Sequence, residues 1–326
     1  MGANGKIGGV SVVVPAYNGS SWIASSLQSI LSQDCDIDIE VVVVDDCSSD
    51  DTLDVVRGIG DPRIVARSTG RNSGVAAARN LGISLARHEW IAFNDQDDVW
   101  LPGRIGKQLA ILEAHPDMEA VAGGAARLAG DGKSRWTGSI LWWKWSPQHV
   151  LALRNPPYYD PRAEGTTYLQ TLIVSRSTAQ AVGGFNENLP LSDDLDFFMR
   201  IANVAKLGFL QEPVFLYRLG QHNQTAPNVA KAAQFLGAQA YYVAAMQARN
   251  QGTAVPMAAE FMAAYVPRRE ELVSFDLAQQ VRAVNTIWVN QGLVRALLAG
   301  MGTLCRHPRA FVHHFMSRVQ WWRSAN

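Results

Sequence analysis

Trp90-Ile-Ala-Phe-Asn-Asp-Gln-Asp-Asp-Val-Trp100 joins an apolar run to three carboxylates, Asp95, Asp97 and Asp98. The run reads as a buried strand, so the acids fall at its carboxyl end. In an open α/β sheet that is the edge where ligands bind, and hard carboxylate oxygens there suit a divalent cation and a phosphorylated substrate. The preceding chain repeats the plan. Val10 to Val14 is a β-branched run ending at Pro15-Ala-Tyr-Asn-Gly19, after which Trp22, Ile23, Leu27, Ile30 and Leu31 recur at helical spacing, with Ser20 or Ser21 as the expected cap. Ile37 to Val44 is a second buried strand, closed by Asp45-Asp-Cys-Ser-Ser-Asp-Asp-Thr52 before a short helix through Val56 that Ser49 is expected to cap.

Arg63 to Arg67 reads as a third strand, and an alanine-rich helix ends near Ala86. A helix over Leu101 to Ala114 and a strand over Met118 to Ala122 follow. Strands and helices alternating at this length predict an α/β fold with a mostly parallel sheet flanked by helices. From Leu128 to Gly165 periodicity is lost among tryptophans, tyrosines, prolines and glycines. It returns with a strand over Tyr168 to Ser175, helices over Ser177 to Val182 and from about Asp194, and a strand pair at Gly208 to Leu210 and Val214 to Tyr217. Beyond Pro227 the alanine- and glutamine-rich composition predicts helices.

Lysine plus arginine and aspartate plus glutamate each total 29, so the net charge is zero and nothing points to nucleic acid as a partner. The last fifty residues are different. No acid follows Asp276, whereas Arg282, Arg295, Arg306, Arg309, Arg318 and Arg323 do. That basic tail, closing with Trp321 and Trp322, reads either as an amphipathic helix resting on an anionic membrane face or as a helical cap on the preceding domain. Cys35, Cys47 and Cys305 have no metal-ligand or redox spacing. With no signal-peptide pattern at the start and no apolar run of about 18 residues, the expectation is a cytoplasmic protein, soluble or peripheral on the inner face of the cytoplasmic membrane.

Acidic turns after strands are often only solvated, and Asp193-Asp194 taken alone reads first as an ordinary helix cap. The combination says more. Pro15-Ala-Tyr-Asn18, Asp45-Asp-Cys-Ser-Ser-Asp-Asp-Thr52, Asn72-Ser-Gly74 through Ala78-Arg-Asn80, Asn94-Asp-Gln-Asp-Asp98, Gly183-Gly-Phe-Asn-Glu187, Ser192-Asp-Asp-Leu-Asp196 and Tyr217-Arg218 resemble, in order and spacing, the motifs of family 2 glycosyltransferases. The resemblance covers roughly residues 10 to 225. It implies a GT-A-type fold, an inverting transfer of one sugar from a nucleotide-diphospho-sugar donor, and Mn²⁺ or Mg²⁺ as cofactor. The catalytic domain would span 8–226, with a donor half over about 8–125 and an acceptor half over about 126–226, and 227–326 would be a helical C-terminal extension.

Carried over by position, Pro15, Ala16, Tyr17, Asp46, Asn72, Gly74, Arg79 and Asp95 would bind the donor, with Asp46 at the base, Asp95 at ribose or phosphate and Arg79 at the diphosphate. Asp97 would hold the metal, and Asp194 would be the general base. The acceptor, a saccharide or lipid-linked saccharide in cell-surface polysaccharide synthesis, would meet Trp136, Trp142 and Asp193. The tryptophans read equally as headgroup contacts or core packing. Gly220 stands where many members carry a histidine, and His222 is read either as a displaced metal or phosphate contact or as a loop histidine. The Gln-x-x-Arg-Trp motif of processive synthases is missing, which favours single addition. A nicotinamide dehydrogenase would need Gly-x-Gly-x-x-Gly after a strand, and a sugar nucleotidyltransferase would need a glycine-rich basic loop where Pro15-Ala-Tyr-Asn-Gly19 stands. A non-catalytic nucleotide-sugar-binding relative is the remaining alternative, although every expected acidic position is filled.

Overall fold

A computed structural model describes residues 7–128, 158–159, 168–189 and 193–218, and positions of a segment between 234 and 266. Trp136, Trp142 and His222, the expected domain boundary at 226 and the basic tail lie outside the described residues. The first half follows the alternation of the sequence. Strand β1 (Gly9–Ala16), helix α1 (Ile23–Leu31), β2 (Asp38–Asp45), α2 (Thr52–Gly58), β3 (Ile64–Ser68), α3 (Val75–Leu85) and β4 (Trp90–Phe93) succeed one another. β1 is buried along its whole length, as a strand covered on both faces must be. The pairs β1–β2, β2–β3 and β1–β4 are all parallel. The carboxyl ends of β1, β2 and β4 therefore share one edge, which carries Tyr17, Asp46 and the acidic loop 95–98.

The sheet becomes mixed beyond β4. A two-residue strand β5 (Val99–Trp100) precedes α4 (Arg104–Ala114), and β6 (Ala120–Leu128), β7 (Tyr158–Tyr159), β8 (Ile173–Ser175), α5 (Arg176–Ala181), α6 (Asp193–Val204) and β9 (Leu207–Arg218) follow. Strand order is β3-β2-β1-β4-β8-β6-β9-β5, with β7 pairing off that path to β9. β8 is antiparallel to both β4 and β6. Reversing β8 places the residues that enter it beside those that leave β4. One apolar cluster lies between the sheet and α1, α2 and α4, and another between the sheet and α3, α5 and α6. Among the described residues no helix is long and apolar enough to cross a membrane.

Four local expectations are corrected. α1 begins at Ile23 without a serine cap, because the N–H groups of Trp22 and Ile23 both donate to the Gly19 carbonyl, at 2.9 and 3.0 Å. Ser49 does not cap α2; its N–H and hydroxyl donate to Asn18 Oδ1, and the Asp50 carboxylate takes the Thr52 N–H instead, at 3.1 Å. The expected strand over Tyr168 to Ser175 is a 3-10 turn, Leu169–Thr171, followed by the short β8. The expected strand pair after 207 is the single strand β9, which keeps Pro213 because its register against β6 shifts at Gly123 and Gly124. A Cβ on Gly124 would lie 3.0 Å from the Glu212 carbonyl oxygen, so the close approach needs glycine.

Two helical glycines test this packing. A Cβ on Gly82 would sit 2.3 Å from Val13 Cγ1, whereas nothing lies within 4 Å of one on Gly106. Gly82→Ala is expected to cost about 1–3 kcal/mol in urea unfolding, and Gly106→Ala to gain about 0.5–1 kcal/mol. A neutral Gly82→Ala would show that α3 does not seat on β1 as described.

Candidate active site

The shared strand edge is built from three loops that hold one another. Asp46 follows β2 and is buried. Its Oδ1 accepts from Thr69 Oγ1 and the Ser73 N–H, both at 2.8 Å, and its Oδ2 accepts from the Gly74 N–H at 2.7 Å. Gly74 has φ of +90° and opens α3, a conformation that a side chain would strain. Asp46 thus aims α3 as well as standing at the expected base position. Pro15 and Ala16 end β1 in buried backbone, Tyr17 is 47% exposed, and Asn72 is exposed on the loop before α3.

Gln96, between the two acids of the motif, brackets Tyr17. Its Oε1 accepts the Tyr17 N–H and its Nε2 donates to the Tyr17 carbonyl, each at 2.9 Å. The loop after β1 and the loop after β4 are therefore one unit. Asn18 has φ of +48° and Cys47 of +59°; Asn18 Oδ1 and the Ser48 hydroxyl tie these turns together.

The centre is Arg79, whose side chain is only 6% exposed. Its Nη1 lies 2.7 Å from Asp193 Oδ2 and its Nη2 lies 2.9 Å from Asp95 Oδ1. Its guanidinium carbon also stands 5.3 Å from the centre of the Phe185 ring, which stacks on Phe197 with centroids 4.1 Å apart. Burial alone would lower the arginine's pKa, but Asp193, Asp95 and Asp194 together raise it above the ordinary value, so it stays charged. The structure therefore places the expected diphosphate contact between two carboxylates. The adjacent Asn80 completes the joint: its Oδ1 accepts the Phe185 N–H at 2.6 Å and its Nδ2 donates to Glu187 Oε1 at 2.7 Å.

Asp194 is half-buried at the start of α6. Burial, then the neighbouring Asp193, push its carboxyl up to about 6 against the opposing pull of Arg79. Asp95 is half-exposed, with 32% of its side chain open. Burial raises its carboxyl, Arg79 pulls it back, and Asp97 adds to the rise. Asp97 is also half-exposed, and its carbonyl accepts from Arg218 Nε at 2.8 Å.

Asp98, the third acid after β4, is a buried strut. Its Oδ1 accepts the Arg218 N–H at 3.0 Å, and burial with Asp97 and Asp95 drives its carboxyl well above the usual range. β5 intervenes between Asp98 and α4, which moves the helix start to Arg104. Sequence reasoning missed Gln96, Asn80, Arg218 and Gln170 as site-building residues. Gln96, Asn80 and Arg218 lay within quoted motifs, whereas Gln170 lay in none.

Gly19 and Gln96 give a direct test of the bracket, because a Cβ on Gly19 would lie 2.1 Å from Gln96 Oε1. Gln96→Ala is expected to cost about 1 kcal/mol in unfolding stability. Gly19→Ala is expected to cost a similar amount in the native background and close to nothing alongside Gln96→Ala, a non-additivity that a thermodynamic cycle reads directly. Additive costs would mean that the two residues do not share this contact.

Residues 11–175, about half of the chain, match the family described as Glycosyl transferase family 2. The chain is 42% identical over 109 residues to the succinoglycan biosynthesis protein ExoO of Rhizobium meliloti, covering 33% of this chain and 31% of that protein. Identity is 38% over 104 residues to the Escherichia coli UDP-Glc:alpha-D-GlcNAc-diphosphoundecaprenol beta-1,3-glucosyltransferase WfaP, covering 32% of this chain and 41% of that protein. The chain thus spans less than half the length of these two relatives. Among solved structures, S. aureus TarS 1-349 in complex with UDP-GlcNAc superposes with a TM-score of 0.53 at 19% identity, over 93% of this chain and 81% of that one. The mannosyltransferase PcManGT from Pyrobaculum calidifontis, in complex with GDP-Man and Mn2+, gives 0.55 at 18% identity, over 97% and 85%. These likenesses show a GT-A glycosyltransferase fold. Since the matched region runs from β1 through β8 and takes in Asp46, Arg79, Asp95 and Asp97, the chain belongs to glycosyl transferase family 2.

Proposed function

We propose that this chain transfers a single sugar from a nucleotide-diphospho-sugar to a saccharide or lipid-linked saccharide, with inversion at the anomeric carbon, in cell-surface polysaccharide synthesis. The observation that carries the reading is the sharing of Arg79 between Asp95, on the strand edge where the donor would bind, and Asp193, next to Asp194. One buried guanidinium thereby sets the distance between the donor side and the acceptor side. The donor class is supported by the UDP-Glc and UDP-GlcNAc in the names of WfaP and of the TarS complex, and the lipid-linked acceptor by the diphosphoundecaprenol in the name of WfaP. Such an acceptor would bring the protein to the cytoplasmic face of a membrane.

In this reading Asp194 takes the proton of the acceptor hydroxyl as its oxygen attacks the anomeric carbon. The bond from that carbon to the donor's diphosphate oxygen breaks, and its electron pair leaves with the nucleoside diphosphate. A base near 6 is mostly ionised at neutral pH yet basic enough to accept a proton, which is the compromise that general-base catalysis favours. The pairing of Asp193 with Arg79 orients the first turn of α6 and thereby Asp194.

No three His, Cys, Asp or Glu side chains form a full ligand set among the described residues. Mg²⁺ and Mn²⁺ sites completed by substrate phosphates need only one or two carboxylates, and the half-exposed Asp97 beside Asp95 fits that requirement. Bound there, the ion would neutralise charge on the departing diphosphate. Asp46, Ala16 and Tyr17 would receive the base, and Asn72 and Gly74 would line the donor loop.

Nucleoside diphosphate release tests this reading. With UDP-glucose, UDP-GlcNAc and GDP-mannose in turn, native protein is expected to release product with a suitable acceptor, to stop on chelation and to recover on adding Mn²⁺ or Mg²⁺. Asp194→Asn is expected to keep donor affinity and to lose about 10²–10⁴-fold in kcat. Because Asp194 must be ionised to act, native kcat/KM is expected to rise with pH through about 6 and then level off. Transfer unchanged in Asp194→Asn would remove it as the base.

A further inference from the structure

Gln170 stands on the 3-10 turn that leads into β8, and the antiparallel pairing of β8 with β4 brings it against Asp95. Its Nε2 donates to Asp95 Oδ2, while Arg79 Nη2 holds Asp95 Oδ1 at 2.9 Å. The side chain is buried, and its Oε1 is buried with no hydrogen-bond partner. Turning the amide over would press that oxygen against a carboxylate, acceptor on acceptor, so Asp95 dictates its orientation. Leaving an acceptor unsatisfied carries a desolvation penalty that an apolar residue would avoid. Leu169 and Leu172, buried on either side, already fill the core at this turn. Space-filling therefore does not account for an amide here.

From this geometry, and resting on the function proposed above, we infer that Gln170 is a positioning residue for sugar transfer: with Arg79 it clamps the Asp95 carboxylate in one orientation. The clamp adds no charge. Asp95, Asp193 and Asp194 surround a single guanidinium, and a lysine or arginine at 170 would place a second cation on Asp95 and weaken its hold on Arg79. A neutral donor fixes the carboxylate and leaves Arg79 as the link to the base side.

The test uses the full chain and Gln170→Met, which keeps the length of the side chain and removes the donor. Each of UDP-glucose, UDP-GlcNAc and GDP-mannose is titrated with Mn²⁺ for affinity and assayed for turnover. Gln170→Met is expected to melt close to native, to raise donor KM about tenfold and to lower kcat by up to about 100-fold, the scale of a small misplacement at a reacting centre. Acceptor KM is expected to stay the same. The decisive arm is the donor dissociation constant in the Asp95→Ala background, where adding Gln170→Met is expected to change it less than twofold. An equal loss in both backgrounds would show that Gln170 acts elsewhere and overturn the inference. So would native turnover that Gln170→Met leaves unchanged, with the functional reading intact. A native protein that releases no nucleoside diphosphate from any donor would overturn that reading and this inference with it.

Discussion

Everything at the site depends on the double ion pair of Arg79. Two carboxylates that are distant in the chain, Asp95 and Asp193, meet one guanidinium that is almost shut off from water. Removing Arg79 would leave Asp193 an uncompensated charge in a poorly solvated place, a cost of roughly 3–5 kcal/mol. The arrangement is therefore close to obligatory: α3, the loop after β4 and the start of α6 are held to one geometry. Asn80, the next residue, ties the same helix to the turn at Phe185 and Glu187, so α3 is joined to the segment from Phe185 to Asp193 at two consecutive positions.

The helix reaches that position because of what happens at its start. Asp46 gathers the N–H groups of Ser73 and Gly74, and the positive φ of Gly74 lets the chain turn into α3 from there. Gly82 then allows the helix to lie directly on Val13 of β1. A residue that reads in the sequence as a nucleotide contact is thus also the anchor of the helix that carries Arg79. In the proposed reading, donor recognition and the placement of the central cation would share one carboxylate.

The surplus of negative charge is the chemical consequence. Asp95, Asp193 and Asp194 outnumber the one arginine among them, and burial makes each further charge costly. The strain falls on Asp194, which is pushed up to about 6. An ordinary aspartate would be a weak base at neutral pH; burial first, and then the neighbouring Asp193, make this one a stronger base. The same crowding acts on Asp98, but there the carboxyl is buried against the Arg218 N–H and serves to fasten β9 to the acidic loop.

The sequence alone determined the α/β alternation, the buried strands β1, β2 and β4, and the convergence of acids at their carboxyl ends. These follow from local rules: β-branched runs make buried strands, and parallel strands present the same edge. The order of short motifs was enough to name the family. Tertiary structure decided which acids meet and through what. The pairing of Arg79 with Asp193 crosses more than a hundred residues, and no periodicity encodes it. Gln170 reaches Asp95 only because β8 runs against β4, and strand direction is not written in a three-residue strand. Asp98 and Asp97 are neighbours in a motif, yet one is a buried strut and the other half-open. Burial, which separates their roles, is a property of the surrounding chain rather than of the residues themselves.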